Sequence, residues 1–108
     1  MPAPLSDLEV LALAAVLRLG PQAYGVSIRD EIAARTGREV SVGSLYKALA
    51  RLEARGHLTP FTGEPTAVRG GRAKKHFRLE PAGRSALERE LQALSRMVDG
   101  LGLDWSAP

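Results

Sequence analysis

The sequence predicts a mainly α-helical chain with one small β-hairpin, in the order helix, helix, helix, hairpin, helix. Three observations carry that prediction. Four segments with helical spacing of apolar residues are each opened or closed by recognisable start and stop residues. The apolar period changes from helical to alternating after Gly56 and turns helical again at Pro81. No internal repeat or low-complexity tract interrupts the 108 residues, a length that suits one domain with a modest core.

The first helix opens at Ser6, where Glu9 completes a capping box and Leu5 and Val10 take the staple positions. Gly20 and Pro21 stop it, a left-handed residue followed by one that cannot continue a helix. Residues 10–17 are apolar all round, which calls for packing on both sides. The second helix covers about residues 24–36, with Tyr24, Ile28 and Ile32 on one face and Gly37 as its stop. Ser41 caps the third, Val40 and Leu45 form a second staple, and Gly56 closes it. Residues 58–62 and 74–79 read as short strands joined by the glycine- and arginine-bearing stretch 63–73. Pro60 has no amide hydrogen, so it fits only an unpaired edge. Pro81 stands in the first turn of a fourth helix expected to reach about residue 101, with 102–108 a loose tail. That order is the order of a winged helix-turn-helix. Residues 5–80 would form the DNA-binding domain and residues 81–101 a C-terminal dimerisation helix.

Composition narrows the function classes. There is no cysteine, which removes disulfides, thiolate metal sites and thiol nucleophiles together. The longest apolar run is eight residues, too short for a bilayer span, and no signal-peptide pattern is read. A cytoplasmic location with no membrane partner is the expectation. His57 and His76 are the only imidazoles, and no phosphate-binding glycine loop or Gly-x-Ser-x-Gly elbow occurs. No catalytic residue, metal site or cofactor is expected, and the chain reads as a non-enzyme. Both histidines suit packing or DNA-facing roles better than ligation.

Charge is distributed unevenly. Residues 41–78 hold eight basic groups against Glu53 and Glu64, a balance of +6 (8 − 2), within a chain whose net charge is +3. The other residues hold seven basic and ten acidic groups, a balance of −3. Such a cationic third fits a polyanion-binding face, although a solvated surface also tolerates it. On the third helix Val42, Leu45, Leu49 and Leu52 follow core spacing, while Ser44, Lys47 and Arg51 share another face, with Arg55 one turn further. An apolar back with short polar and cationic side chains forward is what a major-groove helix needs. Gly43, Ser44 and Ala48 are small enough for close approach, and the amides beyond Ser41 suit a phosphate. In the hairpin, Arg69, Arg72, Lys74 and Lys75 crowd the turn. Alternation puts Lys74, His76 and Arg78 on one side as a cationic row for a phosphate backbone, and Phe77 and Leu79 on the other as anchors.

Several blocks resemble the PadR family of bacterial winged-helix regulators over about residues 5–101. They are Leu5-Ser6-Asp7-Leu8-Glu9, Tyr24-Gly25-Val26-Ser27-Ile28, Gly43-Ser44-Leu45-Tyr46 leading to Arg51-Leu52-Glu53, Gly63-Glu64-Pro65, Arg69-Gly70-Gly71-Arg72 and Leu79-Glu80-Pro81-Ala82-Gly83. The resemblance implies a homodimeric, cytoplasmic repressor of transcription, often responsive to a small molecule. It implies that Tyr46, Lys47 and Arg51 lie at or near DNA, with Arg72, Lys74 and Lys75 on the wing. Glu80 stands where the family usually has a capping threonine, Thr62 where an aromatic precedes Gly63, and His76 where the first of two tyrosines is usual. Ala93-Leu94-Ser95 lacks the aromatic with which some members stack flat drugs.

On the fourth helix Leu87, Leu91, Leu94, Val98 and Leu101 are spaced 4, 3, 4, 3, the alternation of a coiled-coil seam. This stripe and the all-apolar first helix predict a two-fold dimer on a pseudo-palindromic operator. Part of the stripe could instead pack on the chain's own first helix. Trp105 is expected to fold back on the fourth helix. A winged helix used for protein contacts without DNA would share every core feature, and only the basic face separates the two readings.

Overall fold

A computed structural model describes residues 3–63 and 74–105. Four α-helices run Asp7–Leu19 (α1), Gly25–Thr36 (α2), Val42–Ala54 (α3) and Pro81–Val98 (α4). Strands Leu58–Thr62 (β1) and Lys75–Leu79 (β2) pair antiparallel, and a 3₁₀ turn spans Gly20–Gln22. The mainly helical fold with a small hairpin is as the sequence predicts. Arg69 and Arg72, expected on the wing, fall outside the described residues.

Local chemistry explains the element boundaries. The Ser6 hydroxyl accepts from the Glu9 amide at 3.2 Å while the Glu9 carboxylate accepts from the Ser6 amide at 2.9 Å. Two of the helix's orphan amides are thereby satisfied. Gly37 takes φ 74° at the end of α2, a left-handed stop that side chains resist. The Ser41 hydroxyl accepts from the Ser44 amide at 3.1 Å. Glu80, by contrast, caps α4 without a side-chain bond, so Pro81 alone sets that start.

Helix α1 is the centre, packing against α2, α3, α4 and β2. Ala12, Leu13, Ala15 and Val16 are at most 3% exposed, and Ile28, Ile32, Leu45, Leu49, Leu52, Leu58 and Phe77 close around them. The hairpin joins this core through β2, whose Phe77 amide donates to the Ala23 carbonyl at 2.9 Å. Pro60 pairs opposite Phe77. Because the Phe77 amide points away from β1, that pair exchanges no ladder bonds, and Pro60 takes an edge position that needs no amide hydrogen. At the start of α4, a Cβ on Gly83 would collide with the His57 carbonyl oxygen, so glycine is required for this helix to reach the core.

The structure departs from the sequence expectations at several places along the helices. Val42 is 48% exposed, although it lies on the Leu45-Leu49-Leu52 stripe. Helical side chains lean towards the N-terminus, and from the first turn Val42 projects past the end of the core. Ala48, expected to face outward, is fully buried. It lies about 60° around from Leu45, on the inner flank of the stripe. Helix α4 stops at Val98, because Asp99 turns extended and Gly100 takes φ 77°, so Leu101 stands beyond the helix. Leu87 is 5% exposed and belongs to the chain's own core, which shortens the external stripe.

Among the described residues, no helix is long and apolar enough to cross a membrane, and no group of three or more His, Asp or Glu is placed to hold a metal ion. One ionisable cluster is buried where α1, α3 and β1 meet. Burial opposes ionisation of Glu9, yet the Ser6 amide and hydroxyl and the Arg51 and Arg55 charges outweigh it and hold the carboxyl below its ordinary value. Arg55 Nη1 stands 3.6 Å from Glu9 Oε2. Arg55 also donates to the Ala3 carbonyl, so it folds back on α1 rather than extending the outer face of α3. Beside it, burial pushes the His57 imidazole below its ordinary value near 6.5, and the Arg55 charge acts in the same direction. The unfolded chain then takes up the His57 proton first as pH falls. This contribution to stability is complete above about pH 6.5 and declines below it, towards the lower value in the folded state. Urea midpoints should therefore fall from about pH 7.5 to about pH 5.5, and His57→Gln should flatten the fall. A variant as steep as the parent would assign that proton to another group.

Candidate nucleic-acid interface

The second and third helices are held by a five-residue connection. Its geometry rests on Gly37 and on Arg29, whose Nε donates to the Val40 carbonyl at 3.0 Å. Val40 itself packs against the core. With the connection pinned at both ends, α3 presents a defined outer face. Leu45, Leu49 and Leu52 are at most 1% exposed on one side, whereas Ser44, Tyr46, Lys47 and Arg51 are all exposed on the other.

Ser41 and Ser44 do two jobs at the start of α3. The Ser41 hydroxyl donates to the Ser44 hydroxyl at 2.8 Å while it caps the helix, which orients both polar side chains outward together. Among the described residues no carboxylate lies within ion-pair distance of Lys47 or Arg51. Their charges stay available to an external anion.

Tyr46 is 48% exposed and its phenol lies directly over Gly25, where a Cβ would overlap the hydroxyl oxygen. Glycine at the first position of α2 thus decides where a side chain of α3 can rest. Sequence reasoning places Tyr46 near DNA by resemblance alone and gives Gly25 no role. The available signal is a glycine in the first turn of a helix where alanine would stabilise the backbone better.

The strand side of the site differs from the expected cationic row. Lys74, Lys75 and Arg78 are exposed, but His76 is only 9% exposed and Phe77 2%. Tyr24 forms an isolated bridge with His76 on the edge of β2 opposite β1. The added partner encloses His76, which strand alternation alone puts with Lys74 and Arg78. Lys75 is held at 3.2 Å by Glu53 of α3 and lies over the Phe77 ring, so part of its charge is already answered. Lys74 sits over the Tyr24 ring at 4.3 Å, a cation–π contact that leaves its hydrogens free for another acceptor. The Glu53 pairing, 22 residues apart in sequence, has no local signature.

Helix α4 continues the arrangement away from this face. Leu91, Leu94 and Met97 are 50%, 60% and 77% exposed, and Val98 is half-buried. A cleft of about 700 Å³ runs between α1 and α4, lined by Leu5, Val10, Leu11, Leu91, Leu94 and Met97. A second, of about 600 Å³, lies between Leu91, Leu94 and Val98 and the returning Leu103 and Trp105. The tail thus returns towards α4, with Trp105 facing it across this cleft and 49% exposed.

Three helices, a hairpin packed beside the third, and an exposed polar face on that helix define a winged helix-turn-helix. The model of the transcriptional regulator PadR-like family matches residues 13–89, and the chain belongs to that family. It is 38% identical over 77 residues to a transcriptional regulator of Mycobacterium tuberculosis, covering 71% of this chain and 67% of that protein. It is 39% identical over 92 residues to an uncharacterised 37.1 kDa transposon protein of Streptomyces fradiae. That match covers 85% of this chain but only 24% of the Streptomyces protein. The crystal structure of a PadR family transcription regulator from Clostridium difficile superposes with a TM-score of 0.70. The superposition covers 89% of this chain and 94% of that one at 22% identity, a likeness of fold.

The Tyr46–Gly25 contact yields a direct test. In Gly25→Ala the new methyl should displace the Tyr46 ring, while helix propensity, worth up to about 1 kcal/mol, offsets the lost packing. Proton NMR should show shifted Tyr46 ring resonances in a protein that melts within a few degrees of the parent. Unmoved Tyr46 resonances would contradict the contact.

Proposed function

We propose that this chain is a sequence-specific DNA-binding regulator that acts as a homodimeric repressor. Helix α3 enters the major groove with Ser44, Tyr46, Lys47 and Arg51 forward, and the amides beyond Ser41 meet a phosphate. Lys74 and Lys75, with Arg69 and Arg72, take the phosphate backbone or the minor groove. The observation that carries this reading is the division of α3 into a face no more than 1% exposed at its leucines and an open face whose Lys47 and Arg51 have no carboxylate partner among the described residues. Two cations without a carboxylate partner on a common face, backed by a buried apolar stripe, suit a helix laid in the groove of an anionic duplex.

Titration of random duplex DNA at two salt concentrations tests it, because phosphate neutralisation makes affinity fall steeply with salt. Salt-insensitive or undetectable binding would favour the protein-docking alternative. In Arg51→Ala, operator affinity should drop by roughly 1–3 kcal/mol if the guanidinium reads a base edge. A folded R51A protein binding as tightly as its parent would remove Arg51 from the interface.

The dimer is assigned to α4 and α1 together. Leu91, Leu94 and Met97 are the exposed stripe, and they share a cleft of about 700 Å³ with Leu5, Val10 and Leu11. A second α4 laid there would cover both and set two copies of α3 about one DNA turn apart. Leu94→Asp should then give a folded monomer with much weaker operator binding, since a buried unpaired charge costs several kcal/mol. Sedimentation of the parent as a monomer at micromolar concentration would sink the assembly.

A further inference from the structure

We infer that His76 seats the wing: held by its imidazole to the carbonyl of Pro21 and flanked by Tyr24 and Phe61, it fixes Lys74 in position for a DNA phosphate. The inference rests on the reading of α3 and the hairpin as a DNA interface, and it adds a positioning residue that contacts no DNA itself.

Four contacts meet at this ring. His76 Nδ1 lies 2.8 Å from the Pro21 carbonyl oxygen, which can only accept, so Nδ1 carries the hydrogen and donates it. The rings of Tyr24 and Phe61 stand at centroid distances of 5.2 Å each, tilted at 45° and 42°. On the remaining side the imidazole edge fills the place a Cβ of Gly63 would need. The Gly63 amide in turn donates to the Lys74 carbonyl at 2.8 Å, across the mouth of the hairpin.

These contacts join two parts of the interface, beside the backbone bond from the Phe77 amide to the Ala23 carbonyl. Pro21 and Tyr24 belong to the corner that leads into α2, the first helix of the helix-turn-helix. Phe61, Gly63 and Lys74 belong to the base of the hairpin. Lys74 leaves this base with its ammonium over the Tyr24 ring, so the same tyrosine flanks His76 and carries the cation. A phenylalanine at position 76 would keep the aromatic packing and lose the donor. The exposed Pro21 carbonyl would then turn to water, and the Phe77–Ala23 backbone bond would hold the strand to the corner without fixing the hairpin base that carries Lys74.

The decisive comparison is the salt dependence of duplex DNA binding by the parent, His76→Phe, Lys74→Ala and the double variant. Lys74→Ala should reduce the salt slope by about one unit, the loss of a single phosphate contact. His76→Phe should reproduce that reduction, and should add nothing in the Lys74→Ala background, because both changes remove one contact. A general loss of stability would instead weaken binding equally in both backgrounds, and that result overturns the inference, as does an unchanged slope in His76→Phe. If the parent shows no salt-dependent binding, the DNA reading itself fails and takes this one with it. Should His76→Phe not fold, nitrogen NMR of the parent decides. A neutral Nδ1–H tautomer at about pH 8 supports the seat, and an Nε2–H tautomer excludes it.

Discussion

Small residues along α1 set the distances that the rest of this fold depends on. Ala12 and Ala15 are buried to 0% and 3% exposure beside Leu13 and Val16, and α2, α3, α4 and β2 all rest on this one helix. Alanines let neighbouring helices approach closely, while Leu13 and Val16 fill what remains. Four elements sharing one short apolar helix cannot move independently. The outer face of α3 is therefore as fixed as the core that holds its leucines. A larger side chain at Ala12 would push at least one neighbour outward, and overpacking of that kind typically costs 1–3 kcal/mol.

Electrostatics sorts the cations that composition alone counts together. Arg55 turns inward to Glu9 and Lys75 is bridged by Glu53, both contacts tying the C-terminal half of α3 to its surroundings. Lys47 and Arg51 have no such partner among the described residues, and Lys74 rests on a ring rather than a carboxylate. The cationic third of the sequence thus divides into charges that hold the fold and charges that face outward. The second group can meet a polyanion without first giving up a partner, whereas Lys75 shares its charge with Glu53.

What was legible in the sequence was what is decided locally. The capping box of Ser6 and Glu9, the Ser41 cap, the Gly37 stop and the Pro81 start each depend on groups within four residues, so spacing alone locates them. The stripe of Leu45, Leu49 and Leu52 was legible for the same reason. Strand alternation failed at His76 because the deciding partner, Tyr24, is 52 residues away and adds itself to the other edge of β2. Helical spacing failed at Arg55 because a buried carboxylate on α1 draws it inward, and at Leu87 because α4 lies on the core for its first turns before it stands free. In each case the local pattern was present and a distant contact overrode it.

Both edges of β2 are spoken for, which leaves the sheet little to offer another strand. One edge of β2 is occupied by β1 and the other meets Ala23 and Tyr24. Among the described residues, the open strand edge is then the outer side of β1, and Pro60 stands in the middle of it. An edge interrupted by proline offers no continuous run of donors to an incoming strand. Growth of the sheet across molecules, the usual route from exposed strands to aggregates, is blunted by a single residue.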